Sequence, residues 1–158
     1  MADKRHAYSV RVEWTGNQGS GTSSYRAYSR SHQIDAPGKP SIACSSDPNF
    51  RGDPARWNPE ELLVASLSAC HQLWYLHLCA DAGIVVQAYR DAAVGVMAEQ
   101  PDGAGQFESV TLRPHATLAP GADEATARRL HDEAARMCFI ARSVSFLVKH
   151  EPGFCTGT

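Results

Sequence analysis

The sequence predicts an α+β domain in which antiparallel strands wrap around one long apolar helix, in the order ββ-α-ββ-α-β. Three observations carry this expectation. Residues 7–14, AYSVRVEW, alternate apolar and polar with the period of a half-buried strand. Residues 58–83 form a long, mostly apolar run between helix start and stop signals. Residues 122–138 repeat apolar side chains at helical spacing.

Taken in order, 7–14 is the first strand, TGNQGSG is turn material, and TSSYRAYSRSHQI (22–34) reads as a second strand. Residues 35–57 carry four prolines and two glycines without periodicity, and a connection of that length usually has a function. Asn58 then suits an N-cap and Pro59 the first helical position. Glu60 and Glu61 favour the positive end of the helix dipole, and Gly83 is a stop. The helix spans about 24 residues, roughly 36 Å at 1.5 Å per residue. It is apolar nearly all round, as a core helix is, and His71, Gln72 and His77 argue against a membrane span. Residues 84–99 and 106–118 read as a hairpin about the turn residues QPDGAGQ. In the second helix Ala127, Leu130, Ala134, Met137 and Cys138 share a stripe opposite Arg128, Asp132 and Arg136. SVSFLVKHE closes as a strand, so the chain reads as one domain, 1–158, with 150–158 as a C-terminal tail.

A chain of 158 residues buries roughly 68–70% of its unfolded surface. Its net charge of −2, with no Lys/Arg block, argues against nucleic acid or an anionic membrane as partner. MADKRHAYSV has no apolar core behind its charges and does not read as a signal peptide. The five scattered cysteines, none in a CxxC pair, fit neither a zinc ribbon nor a secreted disulfide scaffold. A cytoplasmic location is expected.

Cys70 shares a helix stripe with Leu63, Ser66, Trp74 and His77, and small neighbours leave room around its sulfur. Cys138 ends the second helix on its apolar stripe. Both thiols point inward and could meet, yet buried cysteine is also an ordinary small hydrophobe. Spacing leaves both readings open. A metal site at His71, His77 and Cys79 is not expected, because residues 71 and 77 lie on different helix faces.

NPEELLVASLSAC and, later, ARMCFIARSVS resemble the two signature segments of the OsmC/Ohr family, with the order of elements in agreement along nearly the whole chain. The resemblance implies a thiol peroxidase that reduces organic hydroperoxides, needs no bound cofactor and works as an interlocked homodimer. It implies Cys70 as the peroxidatic cysteine, Cys138 as the resolving one, Glu60 as the acidic partner, and a lipoyl-type dithiol as reductant. Glu60 lies about 15 Å from Cys70 along one continuous helix. To act there it needs a break in the helix or a second subunit.

The residue types suit that chemistry. A thiolate attacks the O–O bond, while a free cysteine with pKa near 8.5 is mostly protonated at neutral pH. An arginine favours the thiolate, and a glutamate holds the arginine. The sulfenic acid formed is captured as a disulfide by a second cysteine. Arg30 is the expected arginine, facing the same way as Arg26 on the second strand, with Arg51 and Arg56 as alternatives. Each has a second reading as a solvated surface charge. Phe50, Trp57, Trp74 and Phe139 are candidates for an apolar substrate pocket, or ordinary core aromatics.

His71 stands where better-known members carry a large apolar residue. It is either a proton acceptor for the thiol or a satisfied structural group. Phe139 stands where proline is common. These departures keep a second class of function open, a redox-sensing or small-molecule-binding dimer without catalysis.

Overall fold

The computed structural model describes residues 3–158, which divide into two compact units, one up to Leu62 and one of Leu63–Thr158. The α+β class holds, with three three-stranded sheets and two α-helices among the described residues. More strands form than the sequence suggests.

The first unit holds the antiparallel sheet β1 (Arg11–Trp14), β2 (His32–Asp35) and β3 (Ile42–Cys44). Both expected strands are shorter than predicted. Residues 22–27 are turns and bends, and Tyr28–Ser31 pair with residues 15–17 only through an isolated bridge and single backbone bonds, while nearby polar side chains bond locally. Asn17 Oδ1 accepts from the amides of Gly19 and Gly21, and Ser29 and Ser31 bond to each other. Arg26 and Arg30 therefore do not share a strand face. The expected 35–57 connection contains β3 and a 3-10 turn, Pro48–Phe50, ended by Arg51 at φ 63°.

Helix α1 (Pro59–Asp81) starts in a reciprocal cap. The Glu61 amide donates to Asn58 Oδ1 at 2.8 Å, and the Asn58 amide donates to Glu61 Oε2 at 3.3 Å. Asn58→Ala is expected to cost about 1 kcal/mol of stability in urea unfolding. The helix ends on Gly83 at φ 71°, with the Ile84 amide on the Cys79 carbonyl and the Gly83 amide on that of Ala80. Length and apolarity alone would let α1 cross a membrane. Its buried stripe instead comprises Leu67, His71, Tyr75 and Cys79, packed against sheet and helix in the second unit. The all-round burial expected of α1 is not found within this chain. Leu73, for example, is 67% exposed.

The second unit carries sheet β4–β7–β9 and sheet β5–β6–β8. The strands are β4 (Val86–Asp91), β5 (Val94–Glu99), β6 (Gly105–Leu112), β7 (Pro114–Leu118), β8 (Leu147–His150) and β9 (Gly153–Thr156). The expected hairpin forms as β5 on β6 and β4 on β7, both antiparallel, with its two long strands broken at 92–93 and at Arg113. Pro114 and Pro152 lack the N–H that would continue a ladder, and each follows or marks a break. At the break Asp91 accepts from the Ser68 hydroxyl at 2.5 Å and from the Arg113 amide at 2.6 Å, while Arg113 Nε donates to Glu151 at 3.1 Å.

Residues 153–156, expected in a tail, form β9, parallel to β7, just as β8 is parallel to β6. Gly95 lets β5 approach α1. A Cβ there would stand 2.7 Å from both Val64 and Phe107 side-chain carbons. Helix α2 (Glu124–Met137) is capped by Asp123, which accepts from Thr126, and buries Ala127, Leu130, His131 and Ala134.

Candidate functional site

The second unit brings Cys70 and Cys138 together. Cys70 is half-buried on α1, next to the buried stripe rather than in it, and Cys138 is buried as the C-cap of α2. Burial is the main force pushing the Cys138 thiol up to about 11, and the neighbouring Cys70 side chain adds to it. The Ala141 amide, donating to Cys138 Sγ at 3.4 Å, pulls the other way. At neutral pH Cys138 is a thiol lying against the more accessible Cys70. Ser66 does not reach toward the sulfur, since its hydroxyl donates back to the Leu63 carbonyl at 2.8 Å.

Behind the thiols lies a histidine cluster that the sequence reading missed in part. His71 turns inward, and its Nε2 lies 2.9 Å from Nδ1 of His131 on α2. The two rings are within 5° of parallel, and Tyr75 stacks on His131 with centroids 3.7 Å apart. His150, 5.6 Å from His71 by ring centroids, is anchored outward on Asp132 at 2.9 Å. Burial first, then neighbouring His150, lowers His71 to about 4, against a weaker pull from Asp91. Burial, then His71, His150 and Arg128, lowers His131 to about 3. Both are neutral at pH 7. Of the two readings of His71, the geometry supports the hydrogen-bonded structural one. His131 was not among the residues the sequence placed on the α2 stripe, although it is buried beside Ala127 and Ala134.

Trp74 and Phe139 also meet, edge to face with centroids 5.5 Å apart, and Phe139 is 66% exposed. Leu73, Trp74 and His77 line an open groove of about 250 Å³. His77 itself points out to Asp81 at 3.4 Å. Phe50 and Trp57 belong to the first unit, Phe50 at the end of its 3-10 turn and Trp57 half exposed beside β3.

Arg30 is held within its own loop. Its guanidinium donates to the carbonyls of Tyr28 and Tyr25 and lies 4.1 and 4.2 Å from their ring centroids. Arg51 approaches the Tyr25 ring at 6.0 Å, and Arg56 pairs with Asp53 at 3.7 Å. Glu60 sits in the first turn of α1, which runs unbroken past Cys70, so a helix break does not bring the two together. Cys44 and Cys79 are buried with thiols pushed up mainly by burial, and Cys155 is exposed on β9.

The family model described as OsmC-like protein matches residues 52–151. An OsmC-like protein of unknown function from Vibrio cholerae is 30% identical, with 94% of this chain and 99% of that chain covered at a TM-score of 0.84. An OsmC-like protein from Mycoplasma pneumoniae is 15% identical, covering 96% of this chain and 99% of that one at 0.74. An organic hydroperoxide resistance protein from Elizabethkingia anophelis is 16% identical, covering 98% and 100% at 0.67. The last two show the fold alone. No curated protein matches the chain. The two signature segments, the order of elements and a family match across most of the sequence agree, and the chain belongs to the OsmC-like family.

Proposed function

We propose that this chain is a thiol peroxidase of the OsmC/Ohr kind that reduces organic hydroperoxides. The observation that carries the reading is the contact between a half-buried Cys70 and a buried Cys138. Cys70 as thiolate attacks the terminal oxygen of R–O–O–H, an S–O bond forms as the O–O bond breaks, and the departing alkoxide takes a proton from solvent to leave as the alcohol. Cys138 then attacks the sulfur of the resulting sulfenic acid, giving a disulfide and water. A lipoyl-type dithiol returns both thiols. The raised Cys138 thiol suits the second role, because it does not compete for peroxide before it is needed. Trp74 and Phe139 form an apolar wall beside the pair, which favours an alkyl or aryl peroxide over hydrogen peroxide.

The reading includes a homodimer of one OsmC-like domain, 1–158, per chain, in a reducing cytoplasm. Exposed Val12 and Trp14 on β1 and exposed Leu73 on α1 support a second copy. Among the described residues, Glu60 Oε2 is enclosed without a hydrogen-bond donor, as fits a carboxylate completed from another subunit. Arg30, or Arg51 or Arg56 in its place, would favour the thiolate, and Phe50 and Trp57 would complete the apolar wall.

Peroxide consumption with dihydrolipoamide tests the proposal. Cumene hydroperoxide is expected to turn over well above hydrogen peroxide. A Cys70 that oxidises once and stops would instead favour the redox-sensing class, and one that stays reduced under excess peroxide would remove both readings.

A further inference from the structure

The histidine pair has no role in the peroxide chemistry described above. Replacing both partners of a buried hydrogen bond by apolar groups of similar shape is often nearly neutral for stability. The His71–His131 bond must also carry a buried His131 Nε2 that has no partner among the described residues. What a hydrogen bond supplies that an apolar contact does not is direction. Neutral imidazoles offer one donor and one acceptor, so this bond fixes one arrangement of the two rings.

Those rings sit on the helices that carry the thiols. Cys70 immediately precedes His71 on α1, and Cys138 follows His131 by seven residues, two turns on along the same side of α2. Besides the apolar packing of Tyr75 and Cys79 against Ala127, Leu130 and Ala134, the two helices thus meet at two polar contacts about 10 Å apart along α2. Apolar packing is non-directional and tolerates small slides and rotations, whereas a directed bond at this distance from the thiols restricts both. A disulfide tolerates little of either, because it needs Cα atoms within about 4.4–6.8 Å and a Cβ–S–S–Cβ dihedral near 90°. Tyr75, one turn on from His71 along α1, also stacks on His131.

We propose that the His71–His131 hydrogen bond is a positioning element that holds α1 and α2 in the register in which Cys70 and Cys138 can bond. It rests on the reading of these two cysteines as a redox pair, though not on peroxide as the oxidant.

The test is the equilibrium of the full-length protein with glutathione at pH 7, approached from both sides. Two protein thiols pass two electrons and two protons to glutathione disulfide, giving the Cys70–Cys138 bond and two glutathione thiols. The linked peptide is quantified by mass after alkylation, so the other cysteines do not interfere. In His71→Leu/His131→Leu the constant is expected to fall about tenfold or more, within the range of coupling between residues in contact. His71→Gln/His131→Asn places amides where Nε2 and Nδ1 stood, and is expected to return within about threefold of wild type if direction alone is required. Where the Leu pair does not fold, His131→Phe keeps the stack on Tyr75, removes Nδ1 and reads the same constant. Lowered stability with an unchanged constant in the folded apolar variants would overturn the proposal. A wild type that never forms the bond would overturn it together with the redox-pair reading. A wild type that forms the bond without turning over peroxide, and loses it in the apolar variants, would sustain the positioning role and remove the peroxidase.

Discussion

Cys70→Ser is expected to abolish turnover of cumene hydroperoxide, by about 10³-fold or more, the scale on which loss of a nucleophile acts. The fold should be kept. Serine is nearly isosteric, and Cys70 lies outside the stripe of Leu67, His71, Tyr75 and Cys79 that holds α1 to the second unit's core. Cys138→Ser should behave differently. The first equivalent of peroxide is consumed at the wild-type rate, and steady turnover then collapses, because the thiol that captures the sulfenic acid is gone. Mass spectrometry should find sulfinic acid accumulating on Cys70. Equal loss of the first equivalent in both variants would mean that Cys138 shapes the attacking thiol rather than resolving it.

Acid is expected to destabilise the protein well before its carboxylates titrate. The folded values of His71 and His131 lie near 4 and 3, below the ordinary value of 6.5 that each regains on unfolding. Between those limits the unfolded chain binds more protons than the folded one. Stability is therefore fully present above about pH 6.5 and falls as pH drops toward 4. Each imidazole can contribute up to about 1.4 kcal/mol per pH unit in that window. His150, Asp91 and Arg128 set the local field, His150 and Arg128 lowering and Asp91 raising. Urea midpoints measured from pH 7.5 to pH 4.5 check this, and a curve flat down to pH 5 would contradict it. His71→Gln/His131→Asn should flatten the profile.

Much of this was legible in the sequence where a local rule and a tertiary contact agree. Asn58, Pro59 and Gly83 bracket α1 because caps satisfy backbone groups whatever the surroundings. Cys70 and Cys138 could be named from two sequence segments that resemble a family, and the structure brings them together. Residues 22–27 misled, since a run of Tyr, Ser and Thr has strand propensity while Asn17 and Arg30 tie the loop to itself. Residues 153–156 were hidden for the opposite reason. Pro-Gly marks an end by local rules, but β7 offers a free edge that only the assembled sheet creates. His131 could not be read as a partner of His71, because sixty residues separate them and no periodicity links two helices.

The one-sided burial of α1 carries a consequence for how this protein would be handled. On the dimeric reading, the faces bearing Leu73 and Trp74 are completed only by association, so part of the folding free energy is second order in protein. Its melting temperature then has no single value. It should climb with concentration and sag on dilution, and a sample that is sound at the bench in milligram quantities would loosen at the nanomolar levels of a sensitive assay.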